Sequence, residues 1–361
     1  MKKYLSFFMC SMLLSAQLSA FMPFDDEFEI AEEDEEVDIE EFSDVYVPSF
    51  TPGFEFEISV MTLRPTFGDL DYATVIHPAG VNIEGWDVKA VRPQFTSAFD
   101  LGLGYYFGNS GNNIKISWLH HDTKDLNTVH NEANFIEPLF SAGELNGQYT
   151  HAKSTLWNHF DRIHLTAGQY IDAGSSFSLR VFAGVDFALL NQKLQTKFGN
   201  HPENIKLSMY QKCKFVGGGP ILGLNMIYHF CDGLGLIGEI SGACLMGNRQ
   251  RHLSLKDTSI VGAEVGFEPE TRQYIRPDST TQTVFGGEAK VGINYAYSYC
   301  DCVVRIEAGY KAGIYLNALE SIKPLTVATA PELGSVTVQS IGKSISDFGF
   351  GGPYVTLGFD F

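Results

Sequence analysis

Asp347-Phe348-Gly349-Phe350-Gly351-Gly352-Pro353-Tyr354-Val355-Thr356-Leu357-Gly358-Phe359-Asp360-Phe361 closes the chain. Taken in steps of two from the end, Phe361, Phe359, Leu357 and Val355 are apolar, whereas Asp360, Gly358, Thr356 and Tyr354 are small or polar. A period of two puts successive side chains on opposite faces of a strand, so one face is oily and the other is not. The ends of water-soluble domains usually fray into solvent. An aromatic last residue fits instead the closing strand of a bacterial outer-membrane barrel, with lipid on one face, lumen on the other and an aromatic at the interface. The last strand of a sandwich shares the alternation, so the rest of the chain decides.

The bulk properties narrow the choice. The 361 residues include 36 glycines and 13% aromatics but only 19% charged residues, below the roughly 25% of soluble domains. After the N-terminus no uncharged apolar run reaches the roughly 18 residues of a membrane helix. A chain of this kind crosses a bilayer only as a closed sheet, in which every backbone N–H and C=O is satisfied. A net charge of −18 argues against nucleic acid as a partner, because such binding rests on neutralising phosphates.

Residues 1–20 read as a secretory signal: Lys2 and Lys3, an apolar stretch from Leu5 to Leu14, and the small-residue cleavage site Leu18-Ser19-Ala20. Residues 21–52 read as an acidic, disordered periplasmic segment and linker. Thirteen acids and no base stand between 25 and 44, a run that repels itself and stays solvated. A flexible tether, a calcium- or base-binding tail and a plug entering the barrel are its open readings.

Residues 53–361 read as an all-β, antiparallel, up-and-down transmembrane barrel. Period-two segments recur from Gly53–Leu63 onward, and their count is ten. Short gaps of the Gly108–Asn112 kind alternate with long ones, notably 122–154, 247–282 and 318–347. Short periplasmic turns and long extracellular loops are the pattern of an outer-membrane barrel. The count rises to twelve if residues 70–92 hold another hairpin. Aromatics near strand ends, such as Trp118, Tyr105, Tyr228 and Tyr297, fit interfacial girdles.

The polar face carries Glu55, Glu57, Asp100, Asp186, Glu239, Glu288 and Glu307 against Lys115, Arg162, Arg180, Lys290, Arg305 and Lys311. These residues are expected to line the pore. A dry core would not take them, since an unpaired buried charge costs several kcal/mol. Mixed signs fit either a polar channel or a narrow bore laced with ion pairs. About eight strands already leave an interior that side chains fill, so ten leave at most a thin passage.

Phe215-Val216-Gly217-Gly218-Gly219-Pro220 followed by Gly223 resembles the F-x-G-x-G-P-x-x-G stretch of the Legionella-type major outer membrane protein family, which has relatives in Chlamydia-like bacteria. Gly53-Phe54-Glu55-Phe56, Leu70-Asp71-Tyr72-Ala73, Gly102-Leu103-Gly104-Tyr105, Ile116-Ser117-Trp118, Ala167-Gly168-Gln169-Tyr170-Ile171-Asp172 and Leu179-Arg180-Val181-Phe182-Ala183-Gly184 resemble its other pieces, in order. The acidic segment has no counterpart in that pattern. The resemblance implies a pore-forming, porin-like protein of the bacterial outer membrane, often oligomeric, that passes small solutes or ions by diffusion. It implies no catalytic residue and no cofactor.

The expected partners are outer-membrane lipid, small solutes, further copies of the chain and, through the strand ending at Phe361, the outer-membrane assembly machinery. A closed structural or adhesin barrel acting through its extracellular loops is the alternative. Export permits disulfides. Cys231, Cys300 and Cys302 fall at short turns on one rim. The resemblance favours intermolecular cross-links, while a Cys231–Cys300 or Cys231–Cys302 bridge and unpaired thiols stay open. His120-His121-Asp122 admits a metal or protease reading. However, adjacent residues of a strand point to opposite faces, so no metal site and no catalytic site is assigned.

Overall fold

The computed structural model describes residues 52–361 apart from 80–81, 109–110, 132–134, 140–148, 173–175, 202–203, 232, 258–270, 300–301 and 331–334. The signal sequence and the acidic run lie outside the described residues. The strands are β1 (Gly53–Phe67), β2 (Asp71–Ala79), β3 (Asn82–Ala90), β4 (Thr96–Tyr106), β5 (Asn112–His130), β6 (Phe135–Pro138) and β7 (His151–Asp172). They continue as β8 (Phe177–His201), β9 (Asn204–Cys231), β10 (Leu234–Asp257), β11 (Thr271–Ile275), β12 (Thr280–Tyr299), β13 (Cys302–Ala330) and β14 (Ser335–Asp360).

Ten of these close into an antiparallel ring in the order β10-β12-β13-β14-β1-β4-β5-β7-β8-β9, with β9 pairing back onto β10. The C-terminal stretch, residues 347–361, is the seam. β14 pairs with β13 on one side and β1 on the other, Phe359 lying opposite Val304 and Phe56. The strand β11 adds to the upper end of β10. The residues between β1 and β4 do form a hairpin, β2–β3, but it joins β6 in a separate three-stranded sheet. The ring therefore stays at ten.

Alternation places the lipid face as read from the sequence. Phe54, Phe56, Ile58 and Val60 are exposed, and Glu55, Glu57 and Ser59 between them point inward. Exposed Phe54, Tyr105, Phe107, Tyr228, Phe230, Tyr297 and Phe361 gather at the short-turn ends, where amphipathic rings sit at a membrane interface. One short turn needs glycine: Gly233 has φ +71°, and a Cβ there would come within 2.3 Å of the Ala296 carbonyl oxygen.

The strands run well past the membrane. β8, β9, β13 and β14 have 25, 28, 29 and 26 residues, where about 9–11 suffice to span. Among the described residues, the expected loops at 122–154 and 318–347 are thus largely strand, because β5 keeps pairing with β7 and β13 with β14 above the lipid. Over this upper part, Tyr72, Val75 and Ile136 of the side sheet bury against Leu156, Leu194 and Phe198 of the barrel wall.

Asp69, between β1 and β2, ties the side sheet's root to β13. It accepts hydrogen bonds of 2.7 Å from both Ser321 Oγ and Lys323 Nζ. Burial opposes ionisation, but these bonds and the Lys323 charge hold its carboxyl below the usual carboxylate range. That stabilisation is complete above the unfolded value near pH ~4 and is lost as pH falls through the depressed one. Asp69→Asn is expected to cost about 1–3 kcal/mol at neutral pH. Urea titrations in lipid vesicles should show the difference from the unmutated protein shrinking below pH ~4.

Candidate functional site

None of the thirteen charged residues expected to line the pore faces outward. The ring brings them together in layers. Nearest the short turns, Lys115 Nζ lies 2.6 Å from Glu57 and 3.6 Å from Glu55. Arg305 pairs with Glu55, with Glu57 at 3.3 Å and with Asp360 at 3.1 Å. Lys290 holds Glu307 at 2.6 Å. Arg180 donates to Asn113 at 3.0 Å and to Thr166 at 3.3 Å, and Asn225 donates to Glu239 at 3.3 Å. A cavity of about 50 Å³ remains among Glu55, Lys115, Arg180, Glu239, Lys290 and Arg305, room for little more than a few waters.

The next layer crosses the bore. Arg162 on β7 donates to Asp186 at 2.9 Å and pairs with Glu288 on β12. β12 lies four strands from β7 one way round the ring and six the other. Tyr315 donates to Glu288 at 3.1 Å, and Lys311 bridges Asp100 at 3.2 Å and Glu288 at 3.7 Å. Such pairs hold charge without water only when each group keeps a partner. Of the two sequence readings of mixed charge, the narrow, ion-paired bore matches these contacts.

Above it stands a layer that the sequence reading did not assign. Phe160 of β7 meets Phe348 and Phe350 of β14 at centroid distances of 5.0 and 5.6 Å, and Tyr315 at 5.4 Å. These rings belong to one buried apolar cluster with members on all ten ring strands, from Leu63 on β1 to Leu245 on β10. The available signal was parity: Phe160, Phe182, Phe348 and Phe350 sit at the inward positions of strands whose lipid-facing positions are already apolar. Higher still, Glu320 holds Arg249 at 2.5 Å and also pairs with Arg251. All three lie in stretches read as loop.

Of the two bridges left open above, one can be judged among the described residues. Cys302 carries a free thiol, as do Cys213 and Cys244, so the Cys231–Cys302 bridge is absent. Cys300 and the Cys231 side chain lie outside the described residues.

His120-His121-Asp122 lies in the middle of β5. His121 points inward, fully buried, and bonds Thr96 Oγ1 at 2.8 Å. His120 and Asp122 point outward, and register sets Asp161 and His159 of β7 opposite them. His120 Nδ1 lies 2.8 Å from Asp161, and His159 lies 2.5 Å from Asp122 and 2.7 Å from Asp161. One atom from each of His120, Asp122 and His159 falls within 4.8 Å of the others, a spacing that a cation with nitrogen and oxygen ligands could span. The second histidine comes from the neighbouring strand, which adjacency in sequence could not reveal.

The family described as Legionella pneumophila major outer membrane protein precursor matches residues 46–361. No curated protein matches the chain. Among solved structures, the outer membrane protease OmpT from Escherichia coli is 10% identical, over 86% of this chain and 96% of that one, with a TM-score of 0.43. The toluene transporter TodX from Pseudomonas putida is 9% identical over 87% and 91%, with a TM-score of 0.27. A FadL homologue from Pseudomonas aeruginosa is 7% identical over 86% and 90%, with a TM-score of 0.25.

Proposed function

Because the chain belongs to the Legionella pneumophila major outer membrane protein family and is a β-barrel of the bacterial outer membrane, we propose that it is a sealed barrel anchoring an extracellular β-structure, and not an open diffusion pore. The observation that carries this reading is contact between far walls of the ring at successive heights: Arg162 with Glu288, and Phe160 with Phe348. A solute path would have to part both layers. The strands that continue above the lipid, with the β3-β2-β6 sheet packed on them, give the protein its outward-facing surface. On β3, Trp86 and Val88 are 66% and 54% exposed, apolar surface available to a partner. The role assigned is one of structure and surface contact rather than catalysis.

Planar-bilayer recording of the refolded protein tests this. The expected record is baseline leak without steady unitary steps across ordinary voltages. Reproducible ohmic steps from the unmutated protein would sink the reading and restore passive diffusion through the lumen.

A further inference from the structure

The outer wall above the lipid-facing band carries a charge pattern opposite to that of the chain. Register aligns Lys124, Trp157, Lys193, Lys212 and His252 into one outward rung across β5, β7, β8, β9 and β10. Lys193 lies directly opposite Lys212, and Lys153 directly opposite Lys197. Like charges facing each other across two strands destabilise a sheet, so two such pairs on adjacent hairpins call for an anion between them. Lys214, Lys193, Lys197 and Lys212 have no carboxylate partner among the described residues. From Leu189 upward on β8, Val216 upward on β9 and Met246 upward on β10, the outward positions among the described residues hold no acid at all. Arg276 adds a further cation, 3.2 Å from His252 and stacked over Tyr274 at 5.6 Å. All this occurs in a chain of net charge −18.

Height identifies the ligand. Val216, 46% exposed, is the last lipid-facing side chain of β9; Lys214 and Lys212 are the next two outward residues. With a rise of ~3.3 Å per residue and a tilt of ~40°, they stand roughly 5 and 10 Å above it. The polar regions of a bilayer add roughly 5–8 Å on each side, so the first lies within the headgroup layer and the second at its outer edge, within reach of a long lysine side chain. The short turns mark the periplasmic rim, so this wall faces the outer leaflet. Trp157, beside Lys124 at 5.8 Å, and Tyr274 supply the amphipathic rings expected at that depth. We propose that Lys193, Lys212 and Lys214, supported by Lys153, Lys197 and Arg276, bind the phosphate groups of the phosphorylated glycolipid in the outer leaflet.

The test measures binding of purified lipopolysaccharide to the full-length protein in neutral detergent, by calorimetry at low and high salt. The variant is Lys193→Gln/Lys212→Gln/Lys214→Gln. Lys89→Gln/Lys343→Gln, changed away from this wall, serves as control, and heat-modifiable gel mobility confirms that both are folded. The triple variant should bind on the order of a hundredfold more weakly, since each cation near an anionic surface contributes about a fivefold factor. The control should match the unmutated protein, and added salt should narrow the gap by screening. Three results would overturn the proposal: binding by the triple variant within about twofold of the unmutated protein, equal binding of phosphate-stripped lipopolysaccharide, or displacement by inorganic phosphate at equimolar concentration.

Discussion

Arg162→Met should lower the unfolding free energy by about 3–5 kcal/mol, the cost of leaving a buried charge without its partner. Arg162 is 3% exposed, and its partners Asp186 and Glu288 are 0% and 9% exposed. Removing the guanidinium leaves the carboxylate of Asp186 without its charged partner. Glu288 keeps Lys311 at 3.7 Å and the Tyr315 hydroxyl, so it suffers less. The double variant Arg162→Met/Asp186→Asn removes both charges of the pair and should recover most of the loss, because replacing a buried pair costs far less than breaking it. Urea unfolding in lipid vesicles, followed by heat-modifiable mobility, reads both. A single variant within about 1 kcal/mol of the unmutated protein would mean that water, not Arg162, satisfies those carboxylates, and that the bore at this level is wet.

Phe160→Ala should cost about 3–5 kcal/mol, combining lost burial with the cavity left behind. The ring is 1% exposed and touches Phe348, Phe350 and Tyr315 from across the bore. Paired with Phe348→Ala, the losses should fall short of additivity by about 0.5–1.5 kcal/mol, as for aromatic rings in contact. The same residue addresses permeation. In a barrel sealed as proposed, the apolar and ion-paired layers act in series, so neither Phe160→Ala nor Arg162→Met/Asp186→Asn alone should conduct. Combining the three substitutions thins both layers, and discrete bilayer steps are then expected. Conductance from Phe160→Ala alone would show that the ion-paired layer does not close the path.

The alternation of Phe54, Phe56, Ile58 and Val60 with Glu55, Glu57 and Ser59 was enough to place lipid on one side of β1 and the interior on the other. The same holds for the seam ending at Phe361. Side-chain parity is a property of the extended backbone itself, so it survives without knowledge of any other strand. The thirteen inward charges and the ten-membered ring were legible for that reason. The strand limits were not: β13 continues to Ala330 and β14 begins at Ser335 because each pairs with the other, and pairing is not a local property.

What the chain alone settled is therefore which face each side chain of a recognisable strand takes. What only the closed ring settled is which side chains meet. Arg162 reaches Glu288, Phe160 reaches Phe348, His120 gains His159, and Lys193 confronts Lys212 through strand order, register and bore width. Those quantities join residues that lie from about twenty to nearly two hundred positions apart, by contacts that a one-residue slip would undo.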